Sequence, residues 1–274
     1  MQLAIDIQTS PPAVAHASAG QALPSSLTDD AFLGGKLQIL QPEKGYRAGI
    51  DAVFLAATIP AQTGDAVFEA GIGVGTASLC LLSRCPTVNV TGMEVTARYA
   101  MMCDENAKRN RFANQVHVIH GDVKEAMRRD LAHLPQHGSF VHAFANPPYH
   151  EEGKVTPSPS LLKAQAHAFG PDDLALWIKV MYSMVCLRGT VTVIHRADML
   201  GQLLGLMEEK FGDIRVAPLY AREGTAASRV IVQGVRGSKA PMQLLPGFIL
   251  HGEGNAFTPD AEAVLREGAA WRLR

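Results

Sequence analysis

Apolar residues along this chain form short continuous runs that alternate with longer segments in which apolar positions recur every three or four residues. From residue 64 onward, each short run is typical of a buried strand and each periodic segment of an amphipathic helix. The predicted strands are 66–68, 88–93, 116–119, 140–145 and 190–195, and the predicted helices are 76–82, 97–110, 122–129, 172–186 and 199–210. Strands that alternate with helices indicate a parallel sheet covered by helices on both faces.

Two further strands are predicted at 214–220 and 229–233, with a turn-rich loop and no helix between them. They are therefore predicted to form an antiparallel pair at the edge of the sheet. We expect Gly189 to cap the preceding helix and Asp51 to cap an apolar helix over 51–59. The prediction is an α/β fold with a mostly parallel seven-stranded sheet, an antiparallel edge hairpin and helices on both faces.

The same pattern divides the chain into four segments. Residues 1–30 have the composition of a poorly ordered leader, because proline, serine and aspartate cluster there. Residues 31–63 form an N-terminal extension with one strand and one helix, and residues 64–236 form the core. Residues 237–274 form a C-terminal extension that is expected to pack on the core and to end in a helix after Thr258-Pro259.

Composition excludes several classes of protein. The 274 residues are 47% hydrophobic and 19% charged, which suits a globular protein with a large core and excludes a wholly disordered chain. The formal net charge is -1, so a strongly basic nucleic-acid binder is excluded, although a local basic patch is not. No apolar run reaches the roughly 20 residues of a membrane helix. Four cysteines without a Cys-x-x-Cys pair favour reduced thiols in the cytoplasm.

A glycine-rich sequence, E-A-G-I-G-V-G at residues 69–75, follows the first core strand and opens the first core helix. Glycines at such a turn allow the backbone to approach a ligand closely. The spacing differs from the dinucleotide G-x-G-x-x-G and lacks the lysine of a phosphate-binding P-loop. A turn without a ligand is the alternative, but binding at this position is the usual function of such loops.

Acidic residues end the next two predicted strands. Glu94 lies 19 residues after Gly75, where an acid can accept hydrogen bonds from the hydroxyl groups of a ribose. Asp122 follows the third strand in the same way. Each carboxylate alone could simply favour a helix N-terminus, but together they mark the ligand crevice at the carboxyl ends of the strands.

Asn146-Pro147-Pro148-Tyr149 ends the fourth strand. The second proline restricts the conformation of the first and thereby fixes the direction of its carbonyl group. The side-chain carbonyl of Asn146 and the backbone carbonyl of Pro147 could both accept hydrogen bonds from one amino group, and Tyr149 could stack on a planar base. A simple turn would explain the prolines but not the aromatic residue that follows them.

These motifs resemble those of class I S-adenosylmethionine-dependent methyltransferases, over roughly residues 64–236. The N-P-P-Y sequence is similar to that of N6-adenine, N2-guanine and protein glutamine methyltransferases. The segment 34–57, G-G-K-L-Q-I-L-Q-P-E-K-G-Y-R-A-G-I-D-A-V-F-L-A-A, resembles bacterial tRNA(Val) adenine-N6 methyltransferases, which modify the adenosine on the 3′ side of the anticodon. The resemblance implies a Rossmann-like fold, S-adenosyl-L-methionine as cofactor and tRNA as substrate.

The resemblance also implies roles for particular residues. Glu94 would hold the cofactor ribose, Asp122 its adenine amino group, and Asn146 to Tyr149 would be the catalytic residues. The cofactor-binding residues implied are Glu69, Ala70, Gly71, Gly73, Gly75, Glu94, Val95, Asp122, Val123 and Asn146. An N2-guanine RNA methyltransferase and a protein glutamine N5-methyltransferase are alternatives, and a non-catalytic binding module is a third.

Several charged residues, two histidines and one loop are weaker candidates for function. Arg47 and Asp51 are candidates for the methionine end of the cofactor, with a salt bridge as the alternative. Arg222 and Arg229, with other cations near the edge hairpin, are candidates for phosphate contacts. His117 and His120 are three residues apart on a strand and point to opposite faces, so no metal is expected. The loop 151–170 follows the N-P-P-Y sequence and is a candidate lid.

Overall fold

The computed structural model describes residues 26–45, 47–128, 134–148 and 173–274. The strands are β1 (Leu27–Phe32), β2 (Leu37–Pro42), β3 (Ala66–Ala70), β4 (Asn89–Glu94), β5 (Val116–His120), β6 (Phe140–Ala145), β7 (Val185–Arg196), β8 (Phe211–Tyr220), β9 (Ala227–Arg236), β10 (Gln243–Leu244) and β11 (Phe248–Ile249). The helices are α1 (Ile50–Thr58), α2 (Thr76–Arg84), α3 (Ala97–Arg109), α4 (Asp173–Met184), α5 (Leu200–Glu208) and α6 (Pro259–Glu262).

Nine strands form one mixed sheet in the order β10-β8-β9-β7-β6-β3-β4-β5, with β11 also paired to β8. The five strands from β7 to β5 in this order are parallel, whereas β9 is antiparallel to both β7 and β8. The predicted mostly parallel sheet with an antiparallel hairpin is therefore confirmed, but it has nine strands where seven were predicted. The short strands β10 and β11 from the C-terminal segment add to the outer edge of β8 and cover part of it.

The helices cover both faces of the sheet, as predicted, and create two apolar cores. One core packs α1, α2 and α3 together with the N- and C-terminal segments, and Phe54, Leu79 and Met102 are fully buried in it. The other core packs α4 and α5 on the opposite face, around Ile178 and Leu203. In the described ranges, no helix is long and apolar enough to cross a membrane.

Four local predictions differ from the structure. The helix predicted to continue to residue 186 ends at Met184, because Val185 is buried and pairs with Phe140 of β6. Gly189 lies inside β7 and is no helix cap. Gly49 takes the N-cap position of α1, so Asp51 lies in the first turn instead. The helix predicted over 122–129 is a short 3₁₀ turn over Val123–Met127.

The two terminal segments meet on the core. β1 begins at Leu27, inside the segment expected to be a leader, and it forms a separate two-stranded sheet with β2. The C-terminal segment returns to α1, where the Trp271 amide donates to the Ala57 carbonyl at 2.9 Å and the Trp271 ring lies edge-on to Phe248. Thr258 caps α6 with its hydroxyl, as the sequence predicts.

A fully buried asparagine joins the N-terminal segment to the glycine loop. Asn106 of α3 accepts a hydrogen bond from the Leu40 amide at 2.8 Å and donates to the Leu40 carbonyl at 3.0 Å. Its amide nitrogen also donates to the Val74 carbonyl at 2.9 Å. Asn110, one turn later, pairs in the same way with the amide and carbonyl of Gln38. The edge of β2 is thus paired with side-chain amides of a helix.

Replacement of Asn106 tests this connection. Asn106→Ala leaves buried backbone groups of β2 and of the glycine loop without partners, so the free energy of unfolding should fall by about 3 kcal/mol. Urea denaturation measures the change. The matched control is Asn110→Ala, in a more exposed position, which should cost about 1 kcal/mol. Equal losses for the two variants would contradict a special role for the buried amide.

Candidate functional site

The glycine loop connects β3 to α2 and is held by its own backbone. The Ile72 amide donates to the Met93 carbonyl of β4 at 3.0 Å, and the Gly75 amide donates to the Ile72 carbonyl at 2.9 Å. A side chain at Gly71 would place its Cβ atom 2.4 Å from the Trp177 ring of α4. Glycine is therefore required at this position by the close approach of α4, a reason that the sequence alone does not reveal.

Gly73 stands at the opposite, open side of the loop. Its φ of +57° favours glycine, and no atom of the described residues lies within 4 Å of the position that a Cβ atom would occupy. Its amide donates to Oε2 of Glu94 at 3.0 Å. The loop thus presents bare backbone to an open space beside a carboxylate.

Glu94 ends β4 and is only 7% exposed. Its Oε1 atom accepts a hydrogen bond from the Thr96 amide at 2.8 Å. Burial raises the pKa of Glu94, while the two backbone hydrogen bonds act in the opposite direction. A carboxylate offers about four acceptor positions, so hydroxyl groups of a ligand can be added to these two amides.

Val95 and Asp122 lie just after the carboxyl ends of the neighbouring strands β4 and β5. Val95 is 60% exposed, which is unusual for a large apolar side chain in this molecule, and a planar ring packed on it would remove that surface from water. Asp122 follows β5, and its side chain accepts from the Lys124 amide at 2.9 Å to cap the 3₁₀ turn. Val123 behind it is buried.

Glu69 is the second carboxyl group of the loop region, and it is 3% exposed. The Ser78 hydroxyl of α2 donates to its Oε2 atom. Burial raises the pKa of Glu69 to about 8, with a smaller contribution from the charge of Glu94. At neutral pH the two neighbouring acids therefore differ in character. Glu69 is mostly protonated and bonded to Ser78, whereas Glu94 accepts hydrogen bonds from the amides of Gly73 and Thr96.

The Asn-Pro-Pro sequence follows β6 directly. Ala145, the last residue of β6, pairs with Ala70 on one side and Val193 on the other, so Asn146 emerges beside the end of β3. Asn146 is half-buried with its Oδ1 atom fully enclosed, Pro147 is buried and Pro148 is exposed. Tyr149 and the loop 151–170 lie outside the described residues.

A cavity of about 340 Å³ opens beside Asn146. The N-terminal end of α1 and the β8–β9 hairpin form its other walls, and Arg47, Asp51, Leu219, Ser228 and Arg229 line it together with Asn146. Arg47 forms an ion pair with Asp30 at 2.6 Å, and Arg229 forms one with Asp51 at 2.8 Å. Arg47 and Asp51 thus share a cavity with the asparagine, and each also forms the salt bridge considered as its alternative.

Other basic residues near the edge hairpin make contacts within the protein. Arg222 donates to the Gly252 carbonyl and to Asn255, and Arg236 donates to the Val185 carbonyl and lies over the Tyr182 ring. These two arginines therefore serve local structure, whereas Arg229 faces the cavity. Within the part of the chain that the structure describes, no group of three or more metal-binding side chains is present.

Sequence comparison identifies the domain that carries this site. Residues 47–168 match the family model described as "Methyltransferase small domain". The match covers a little less than half of the 274 residues. The described part of the match includes the glycine loop, Glu94, Asp122 and Asn146.

Curated relatives and a solved structure add to this comparison. The chain is 24% identical over 204 residues to the tRNA1(Val) (adenine(37)-N6)-methyltransferase of Shewanella baltica, covering 73% of this chain and 82% of the relative. It is 26% identical to the protein of that name from Shewanella frigidimarina, covering 74% and 80% of the two chains. A predicted O-methyltransferase from Agrobacterium tumefaciens has a TM-score of 0.67 at 23% identity, over 81% of this chain and 98% of that one, and so shares the fold.

S-adenosylmethionine is the cofactor expected for a region that matches this family model, and three features of the site fit it. Gly73 leaves open space in front of its backbone, where any side chain would intrude. The Glu94 carboxylate accepts from the Gly73 amide, and the exposed Val95 follows Glu94 in the chain. Thr76 is 3% exposed at the start of α2, and among the described residues its hydroxyl has no hydrogen-bond partner, as expected where a ligand supplies one.

Glu94→Gln tests the acidic side of this site. The substitution keeps the size of the side chain but removes the charge and turns one oxygen into a donor that faces a backbone amide. The dissociation constant for S-adenosylmethionine should rise about 10- to 100-fold, measured by titration calorimetry. Glu208→Gln, at an exposed position of α5, is the matched control and should bind as the wild type does.

The protonation of Glu69 makes a prediction about stability. Because the ordinary pKa of a glutamate, 4.5, rises to about 8 for Glu69 in the folded protein, the folded state binds an extra proton between these values. The stability that this proton confers is therefore fully present below about pH 4.5 and is lost as pH rises toward 8. Relative to Glu69→Gln, which carries no such charge, the wild type should lose up to about 1.4 kcal/mol per pH unit in this window.

Urea denaturation at several pH values measures this difference. Above about pH 8 the difference between wild type and Glu69→Gln should become constant. Glu208→Gln controls for the loss of a carboxyl group at an exposed position and should follow the wild type. A difference between wild type and Glu69→Gln that does not vary from pH 5 to 8 would show that Glu69 is ionised in the folded protein.

Proposed function

We propose that this methyltransferase transfers the methyl group of S-adenosylmethionine to the N6 amine of an adenine in tRNA, at the adenosine on the 3′ side of the anticodon. The observation that carries the proposal is the position of Asn146, beside the end of the glycine-loop strand and in the wall of a separate cavity. The curated relatives named for this reaction match almost three quarters of the chain and support the choice of substrate.

The chemistry depends on how the amine is held. The exocyclic nitrogen of adenine is a poor nucleophile because its lone pair is delocalised into the ring. Asn146 Oδ1 and the Pro147 carbonyl can each accept one N–H of this amine, which favours a tetrahedral nitrogen whose lone pair points away from the two acceptors. When bound, S-adenosylmethionine supplies an electrophilic methyl group on its sulfonium sulfur. The protein contributes position and electrostatics rather than a covalent bond.

The other residues of the site hold the two reactants. We assign Glu94 to the ribose hydroxyls of the cofactor and Asp122 to its adenine amino group, with Val95 and Val123 packing near the ring. Gly71, Gly73 and Gly75 with Ala70 form the backbone cradle. Glu69, enclosed and protonated, supports α2 through Ser78 rather than reaching the ligand space. The amine loses its extra proton to solvent after transfer, so no strong base is needed. A tRNA substrate implies a cytoplasmic enzyme.

Nucleoside mass spectrometry tests the substrate and the atom. Purified protein is incubated with S-adenosylmethionine and an unmodified tRNA(Val) transcript, and the RNA is digested to nucleosides. We expect N6-methyladenosine from this transcript and none from a matched transcript in which the adenosine 3′ of the anticodon is replaced by guanosine. N2-methylguanosine from the RNA, or methylation of a release factor with no RNA product, would replace the proposal with one of the alternative amino-group substrates.

Asn146→Ala separates catalysis from cofactor binding. Removal of one of the two acceptors should lower kcat about 100- to 1000-fold, since the amine is no longer held in a reactive geometry. The dissociation constant for S-adenosylmethionine should stay within about threefold of the wild-type value, a change of less than about 0.7 kcal/mol. Asn89→Ala, at an exposed position at the start of β4, is the matched control. Parallel loss of turnover and cofactor binding would assign Asn146 a structural role.

A further inference from the structure

The cavity beside Asn146 lies on the side of the site away from the glycine loop. Across the sheet, β3 and β4 with the glycine loop and Glu94 lie on one side of β6, whereas β7, β9 and β8 lie on the other. The walls of the cavity come from α1 and the β8–β9 hairpin, and no residue of the glycine loop contributes to its lining. Asn146, at the end of β6, therefore separates the cofactor side from a second space that suits the substrate.

Arg229 is held in this cavity by contacts that fix its orientation. Its Nε donates to Asp51 Oδ2 at 2.8 Å, and its Nη1 donates to the neighbouring Ser228 carbonyl at 3.2 Å. The ion pair joins α1 to β9, and the side chains of Arg229 and Asp51 retain 24% and 17% exposure. A guanidinium held in this way loses little further conformational freedom when it binds a ligand.

The cavity wall carries two guanidinium groups, each paired with a carboxylate. Arg47 and Arg229 both line it, and Asp51 is the one acid among the lining residues of the described chain. The partner of Arg47, Asp30, lies outside the lining. A planar guanidinium suits phosphate oxygens because several of its N–H groups point in one plane. An anionic group next to the amine acceptor would thus meet two cations at the wall.

We infer that Arg229, oriented by Asp51, binds the backbone phosphate next to the target nucleoside and so positions the base at Asn146; this inference rests on the proposed RNA substrate. A methionine carboxylate of the cofactor has the same charge and could also bind an arginine. The sheet order favours the phosphate, because Arg229 lies across β6 and β7 from Glu94 and the open face of Gly73. Asp51 acts through Arg229 and is a positioning residue.

Arg229→Gln tests the phosphate contact by two readouts. The KM for the tRNA transcript and its dissociation constant in filter binding should both rise about 10- to 100-fold. The slope of log affinity against log salt should fall by about one, because one phosphate contact is lost. The dissociation constant for S-adenosylmethionine should not change. Lys179→Gln removes an exposed cation on the opposite face of the sheet and is the matched control.

Two conservative variants keep the test decisive if Arg229→Gln is unstable. Arg229→Lys keeps the charge but not the planar group, so the salt slope should stay at the wild-type value while the KM for tRNA rises by a smaller factor than in Arg229→Gln. Asp51→Asn keeps Arg229 and replaces its charged acceptor with a neutral, weaker one. It should likewise raise the KM for tRNA without changing the salt slope, an effect that a general loss of stability would not produce.

The outcomes distinguish this inference from the proposed function. Unchanged tRNA affinity and salt slope in Arg229→Gln, with wild-type formation of N6-methyladenosine, would overturn the inference alone. A weaker affinity for S-adenosylmethionine with unchanged tRNA binding would also overturn it and assign the arginine to the cofactor carboxylate. A wild-type protein that forms no N6-methyladenosine on tRNA would overturn the proposed function, and with it the RNA phosphate as the ligand of Arg229.

Discussion

The arrangement of the site depends on the side-chain amide of Asn106, which is completely buried between three parts of the chain. It satisfies both backbone groups of Leu40 in β2 and the carbonyl of Val74 in the glycine loop. A buried carbonyl or amide without a partner is costly, so these three bonds hold only if β2, α3 and the loop keep one relative position. The N-terminal segment before α1 is thereby coupled to the glycine loop, although the two lie far apart in the sequence.

A second constraint comes from two carboxyl groups at the ends of adjacent strands. Glu69 and Glu94 cannot both carry a charge cheaply in a region removed from water. The structure resolves this by environment: Glu69 is enclosed with the Ser78 hydroxyl and holds its proton, whereas Glu94 receives two backbone amides and faces the open side of Gly73. One acid therefore supports α2, and the other supports the glycine loop and the start of α3.

The sequence predicted the parallel sheet well because the sheet follows from local patterns, and the site residues inferred from the same patterns stay a prediction. Alternating strands and helices determine a parallel sheet, and the glycine loop, Glu94 and Asn146 all follow strands whose ends meet at one edge. It did not predict that Val185 would leave helix α4 for β7, because burial against β6 overrides helical periodicity there. The contact between Gly71 and Trp177 was equally hidden, since it joins residues far apart in the chain.

The cavity beside Asn146 shows why the proposed substrate side is the hardest part of the site to predict from one sequence. Its walls come from α1 and from the hairpin after β7, and Arg229 meets Asp51 across 178 residues of chain. No local motif marks such a pair. The proposed cofactor side, by contrast, is built almost entirely from residues adjacent to the strand ends. A domain that binds one common cofactor can therefore keep local motifs for it, while the group that receives the methyl is selected by long-range contacts that only the folded chain brings together.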